Sequence, residues 1–411
     1  MNHVITTDTN LRTIGPAVFP PRLLTLVWSM ILLGITLVAI RGAARPAGFE
    51  RAFWFAFLLN FFFFTVVTLG GVFLTALEYT TNATWSVVFR RLAEAVGSSM
   101  AVLVPAVLLF LVGIPHIYPW AQADYHFATA SKQFYFSRNF VSLRAVSFVL
   151  IWFAFGRWFI RISLRQDRGL VKSLVPPTGF GKLPTVRGRS AALFMVVFAY
   201  TFTLASVDWL MSLEPRWETT MFGVYTFSGL FQTGLAVLLC LAILMRRAGA
   251  LPDIAGEHNY VDLARMLHAF SIFMVYIGFA QYMLIWYANY PEESEYFHQR
   301  IVNGWGWLFV FVLFAKWVVP FVVLLNQKAR RHKGVLLSIA LLVIVGEWFD
   351  IYWLVMPSID SRLVVPGLAE LGVFLVFFGA CGLCVIRFLQ HHPFVPVGDP
   401  RLAQSASGGY L

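Results

Sequence analysis

At 411 residues, 59% hydrophobic and only 12% charged, the chain lies far from the roughly 25% charged residues of soluble domains. Predominantly apolar stretches of about eighteen residues recur along it, each long enough to cross a bilayer as a helix, which excludes a string of soluble domains. The formal net charge of +11 is no nucleic-acid signal in such a chain, because basic residues of membrane proteins gather in cytoplasmic loops facing anionic lipid.

In chain order, a polar tail over residues 1–22 precedes a first span, Leu23–Ile40. No cluster of positive charge precedes that span, so an uncleaved helix is expected and not a signal peptide. Ala52–Leu77, rich in Phe, is the second span. Glu78–Gly97 mixes charged and apolar residues at helical spacing, as a surface-lying helix does. Ser98–Ile114 is the third span, Pro115–Arg138 an aromatic and polar loop, Phe140–Ile160 the fourth span and Arg161–Arg189 a basic linker. Ser190–Leu213 and Thr220–Met245 flank a central hairpin. Ala264–Tyr290, Asn303–Leu325, Val335–Met356 and Gly367–Leu389 complete ten spans. The end of the tail, Ser405–Gly409, reads as disordered.

Twenty Lys and Arg fall on the side of the termini against eight on the other, with Arg144, Arg157 and Lys316 inside spans. By the positive-inside rule both termini are expected in the cytoplasm, and the central hairpin and Pro291–Arg300 face outward. Cys240, Cys381 and Cys384 all sit in apolar runs and read as packing residues. The Cys381–Cys384 C-x-x-C lacks a second pair, which argues against a metal or redox role.

The central hairpin, Ser206–Gly229, packs Asp208, Glu214, Arg216 and Glu218 around a short turn flanked by Trp209, Trp217 and Tyr225. Ionisable residues inside spans cost on the order of 2.5–3.5 kcal/mol each at mid-membrane, so they tend to be paired and functional. Lys316 lies near the middle of the eighth span, and Glu347 near the middle of the ninth with Asp350 one turn further on the same face. His268 lies near the inner end of the seventh span. By depth, Glu94, Glu78 and His268 lead through Lys316 and Glu347 to Asp350, Asp208 and Glu370, the composition of a proton relay. The structural alternative is that Lys316 and Glu347 neutralise each other and fix helix register. For Glu78, Glu94 and Glu370, near the interfaces, that alternative is favoured, as a satisfied interior ring is for His268.

Asp208 with Trp209, Tyr225, Tyr282, Trp286 and Tyr287 also offers an aromatic cleft with a carboxylate, the needs of a quinone pocket, although aromatic belts at interfaces are general. A transmembrane haem needs a pair of axial histidines, and only His268 lies inside a span. The cysteines are too few and too deep for iron–sulfur clusters. No cofactor is expected on this chain itself; if it takes part in electron transfer, the metals belong to partner subunits.

Five stretches together resemble a known family: LGGVFLTALEYTTNATWSVVFRRLAEAVGSSM (69–100), DWLMSLEPRWETTMFGVYTFSG (208–229), FAQYMLIWYANYPEESEYFHQR (279–300), VVPFVVL and EWFDIYWLVMP (347–357). They are similar to the second NrfD-like membrane subunit of bacterial alternative complex III, a quinol:electron acceptor oxidoreductase, and the resemblance runs from about Leu23 to Leu389. It implies two four-helix bundles flanked by the first and tenth helices. The chain then divides into a tail (1–22), first helix and loop (23–51), first bundle (52–213), hairpin turn (214–219), second bundle (220–357), loop and tenth helix (358–389) and tail (390–411). It implies a bacterial inner-membrane location, membrane lipid around the chain, and a sister NrfD-like subunit, an iron–sulfur subunit and haem c subunits as partners. Quinone contact is open, and a scaffolding, proton-conducting role carried by Asp208, His268, Lys316, Glu347 and Asp350 is expected. A stand-alone secondary transporter is the alternative from another class. Against it, no pair of Gly/Pro-broken spans recurs at matching positions in the two halves.

Overall fold

Pro and Gly or Asn punctuate the chain where its helices begin and end. Pro21 opens the first helix at a position whose missing N–H costs nothing, and left-handed Asn82 (φ 51°) and Asn289 (φ 49°) close two of the longest. The structure is a computed structural model, describing residues 15–16, 19–122, 124–127, 129–169, 186–249 and 255–407. Among them, ten helices are long and apolar enough to cross a membrane: α1 (Pro21–Ala44), α2 (Phe49–Thr81), α3 (Val87–Ile117), α4 (Arg138–Asp167), α5 (Gly188–Leu213), α6 (Phe222–Arg247), α7 (Glu257–Ala288), α8 (Trp305–Leu325), α9 (Lys333–Ser358) and α10 (Leu368–His391). The chain is an all-α polytopic membrane protein.

The long helices pack in two groups. Helices α2–α5 pack around one another, as do α6–α9; α2 and α6 form the seam between the groups, and α10 leans on α2 and carries α1. At the seam Gly70 and Gly234 meet, and a β-carbon on Gly70 would lie 3.1 Å from the Gly234 Cα. Helix α2 is buried almost throughout, which explains its run of phenylalanines: it is the post on which both groups are built. Asn60, about a third of the way along it, donates to the Glu370 carbonyl of α10 (3.1 Å) and accepts from the Trp348 indole of α9 (3.0 Å), a polar knot in an apolar seam.

Ten spans bring both termini to one face, where Pro16 bridges to Pro393 and Phe19 meets Phe394. We call this the terminal face, and the opposite one, which carries the turn between α5 and α6, the hairpin face.

Several local expectations are corrected. The Glu78–Gly97 segment is not a surface-lying helix. Glu78 lies in the last turn of α2, which ends at Thr81, and a turn leads to a short 3-10 turn and a helix (Arg90–Ser98) whose residues Arg90–Gly97 are all buried. Its charges pair with each other and with the C-terminal tail, so a pattern that resembles a solvated face is an internal ion network. The Pro115–Arg138 loop contains a short helix, Ala130–Tyr135, and the acidic Pro291–Arg300 segment is a helix, Pro291–Ile301, opened by its proline. Helix α4 continues past Ile160 to Asp167, taking up the start of the expected linker. The tail end is ordered as far as Ser407: Leu402–Ser407 is helical with Leu402 and Ser405 buried. The rest of that stretch, residues 408–411, the linker residues 170–185 and the first fourteen residues lie outside the described residues.

Candidate functional site

The site begins with a proline. Pro320 has no N–H to offer the carbonyl four residues earlier, that of Lys316, and here α8 opens into a wide, π-type turn over Phe314–Val318. The freed Lys316 carbonyl accepts the Gln232 side-chain amide of α6 at 2.6 Å, and the same amide donates to the Ser271 hydroxyl of α7 at 2.9 Å. Such replacement partners are what let a broken helix persist in a membrane.

The Lys316 side chain is fully buried, and its Nζ meets Glu347 Oε2 at 2.5 Å and Asp350 Oδ2 at 2.6 Å, both on α9. Asp350 Oδ1 accepts the Tyr225 hydroxyl of α6 at 2.7 Å. Gly229 makes room for Glu347, because a β-carbon there would lie 2.6 Å from its Oε1. The cluster holds one carboxylate more than it has cations. It can therefore accept a proton without losing the Lys316 contacts, and its members form a hydrogen-bonded row from Glu347 to Tyr225.

The other expected relay residues are engaged elsewhere. Asp208 is fully buried and held by the Arg144 guanidinium of α4 in a two-pronged contact, 2.8 Å and 3.0 Å. Arg144 in turn lies over the rings of Tyr135 (3.9 Å) and Phe140 (4.4 Å). His268 stacks on Phe321 at 5.2 Å, towards the terminal face. The expected single path from His268 through Asp208 is thus corrected to a compact cluster in the second bundle. Asp208 answers to its own cation in the first.

Glu78 and Glu94, expected near water, are 3% and 1% exposed. They belong to a second cluster under the terminal face. Arg90 contacts Glu78 (2.7 Å) and Asp399 (2.7 Å), while Arg91 contacts Glu94 (2.5 Å) and Asp167. Arg401 reaches Asp399 at 3.0 Å, and a cavity of about 280 Å³ adjoins Glu78 and Arg90. Burial alone would raise the Asp399 pKa, but Arg90 and Arg401 outweigh it and hold the carboxyl well below the usual carboxylate range. Glu370 accepts the Gly367 N–H at 2.8 Å and serves as a cap at the start of α10.

Of the expected quinone-contacting residues, Tyr225 and Tyr282 line one cavity between α6, α7 and α8. Asp208 and Trp209 are in the first bundle, Trp209 packed against Phe61 and Trp152, and Trp286 faces outward at 66% exposure. Sequence reading left Arg144 unassigned and placed Arg90 and Arg91 in a surface segment. It also missed Asp167, Asp399, Arg401 and Gln232. The paired Arg90-Arg91 between two glutamates was the available signal, since twin arginines in an apolar setting need acidic partners.

Among the described residues no group of three or more His, Cys, Asp or Glu side chains is placed to hold a metal ion. Compared with protein-family models and with curated proteins, the chain matches none.

Proposed function

We propose that this chain is the helical, scaffolding and proton-conducting subunit of a bacterial quinol:electron acceptor oxidoreductase of the alternative complex III type, placed in the cytoplasmic membrane. Its partners would be a sister NrfD-like subunit, an iron–sulfur subunit and haem c subunits, which would carry the electrons. The reading rests on the resemblance of its five sequence stretches and, physically, on the Lys316–Glu347–Asp350–Tyr225 cluster. An ammonium between two carboxylates at mid-span is costly to bury, and its odd charge suits it to hold a proton and pass it on. Lys316 can hand a proton to either carboxyl and recover one from the other, with Tyr225 extending the row towards the hairpin face.

The test is Lys316→Met and Glu347→Gln in the complex isolated from its native membrane. Quinol oxidation coupled to proton release should fall at least about tenfold with the c-type haem content unchanged, as for loss of a group acting in proton transfer. Wild-type rates in both variants would leave the cluster a structural pin. Purification of a lone chain free of haem and iron–sulfur partners would sink the respiratory reading in favour of a transporter.

A further inference from the structure

Helix α4 ends in a run of charge of one sign. Arg157, Arg161, Arg165 and Arg168 follow one another at steps of four, four and three residues, which sets them in one stripe over about three turns, roughly 16 Å from first to last. All four are exposed. Like charges one helical turn apart repel, and among the described residues none of the four has an ion pair. Asp167, the acidic residue of the same turn, is taken by Arg91 and by the Gly398 N–H at 3.0 Å. The stripe therefore carries four positive charges that the described chain does not balance.

Its inner end lies against the bilayer. Arg157 falls within the apolar run of the fourth span and stands next to Trp158, which is 45% exposed. Seven and fourteen positions earlier, on the same face, Leu150 and Leu143 are exposed too. The outer flank of α4 is thus apolar over its first half and arginine-lined over its second, with a tryptophan at the change, the residue that marks headgroup level in membrane proteins. Arg157 and Arg168 also lie close to the end of α10. The pKa of His392 there is lowered by burial, then by Arg91 and His391, and further by these two arginines. Arg387, exposed near the end of α10, adds to the positive charge of that end.

We propose that this stripe binds the headgroup of an anionic phospholipid, with its phosphate on the Arg157 and Arg161 guanidinium groups and its acyl chains along Leu150 and Leu143. A guanidinium offers a planar fork of donors that meets a phosphate two bonds at a time, and all four positions hold Arg and none Lys. Arg157 decides the source of the phosphate. A free ion is served by Arg165 and Arg168 near water, whereas a group that neutralises Arg157 sits at headgroup depth with hydrocarbon beneath it. The lipid supplies the counter-charge that the chain lacks and relieves the repulsion along α4. It also lies beside the end of α10, where the C-terminal tail sets out across the terminal face. The inference needs only the fold and is independent of the respiratory reading.

The experiment places the protein, with whatever partners it retains from its native membrane, in phosphatidylcholine nanodiscs doped with a photoreactive diazirine-phosphatidylglycerol. Label should map to α4 around Arg157 and Arg161, and unlabelled phosphatidylglycerol should displace it where extra phosphatidylcholine does not. Arg157→Gln with Arg161→Gln should weaken that competition about thirtyfold, the worth of two basic side chains at a membrane surface. Lys328→Gln with Arg331→Gln, which removes as much charge from the terminal face of the second bundle, should leave it unchanged. The comparison of headgroups is made on the wild-type protein, so the test stands even if a variant folds poorly. Label displaced as well by phosphatidylcholine, or lost as much in the Lys328 and Arg331 variant, would overturn the proposal and reduce the stripe to general surface charge. Displacement by inorganic phosphate as effective as by phosphatidylglycerol would overturn it in favour of a soluble anion. Co-purification of haem and iron–sulfur partners, which decides the respiratory reading, bears on none of these outcomes.

Discussion

Arg144 and Lys316 meet the same difficulty, a buried carboxylate in an apolar bundle, with different geometry. Arg144 grips Asp208 with two prongs and is sandwiched against aromatic rings, which leaves the pair little freedom. Lys316 is a point charge shared between two carboxylates, an arrangement that can be rebalanced. The first therefore behaves as structure. Arg144→Met should destabilise the protein by about 3–5 kcal/mol, because it strands the Asp208 charge, and the double variant with Asp208→Leu should recover most of the loss. Thermal unfolding of the four proteins in detergent checks this; a double variant no more stable than Arg144→Met would show that Asp208 has a further partner. The Lys316 cluster was legible because Glu347 and Asp350 lie one turn apart on one helix and consecutive spans pack together. Arg144 and Asp208 also lie on consecutive helices, 64 positions apart, but each is a lone charge with no second ionisable group one turn away to mark the contact.

At the scale of elements, α5 and α9 end alike. In each an aspartate, Asp208 or Asp350, precedes a proline, Pro215 or Pro357, by seven positions, with a 3-10 turn close by. Each aspartate finds its cation on the preceding helix, α4 or α8. The two halves thus present the same device, and only the second opens its cation-bearing helix with a wide turn. Helix α1 is the least embedded element and is held mainly by α10, where the backbones close on each other at Gly34 and Gly372. A β-carbon on Gly34 would lie 2.5 Å from the Gly372 carbonyl oxygen. Gly372→Val should accordingly push α1 away while the two bundles stay folded. Trypsin cleavage at Arg41 and Arg45 should accelerate with little change in the main thermal transition; unchanged cleavage would show that other contacts hold α1.

The C-terminal tail ties the whole molecule together. After α10 it crosses the terminal face, placing Asp399 and Arg401 among the charges of α2 and α3. Ser405 lies beside α7, where its carbonyl accepts the Asn259 amide at 3.0 Å. His392, at the start of this crossing, is pushed down to about 4 by burial and then by the positive charges of Arg91 and His391. An unfolded histidine titrates near 6.5. As the pH falls from about 6.5 to about 4 the unfolded chain gains a proton that the folded one refuses, so the folded state loses stability across that window and is unaffected above it. Thermal transitions of wild type and His392→Gln should therefore diverge between pH 7.5 and pH 4.5, with the variant losing less; parallel decline would remove His392 from the account. Asp399, held low by its arginines, stays ionised throughout the window and keeps the tail in place.

By itself the sequence determined the membrane class, the ten spans and the nearness of Lys316 to Glu347 and Asp350. Each of these follows from apolar length or from helical spacing, which are properties of short stretches. Tertiary structure alone decided what the remaining charges do. Glu78, Arg90, Arg91 and Glu94 have the pattern of a solvated helix face, and only tertiary contacts, Asp167 of α4 beside Arg91 and a tail that returns some 300 positions later with Asp399 2.7 Å from Arg90, give them partners inside the protein. The lateral cavity that Tyr225 and Tyr282 line is likewise invisible in the chain, since its walls come from five separate elements, α6 to α9 and the Pro291–Ile301 helix, and the Gln281 side-chain oxygen is unpaired only because of what surrounds it.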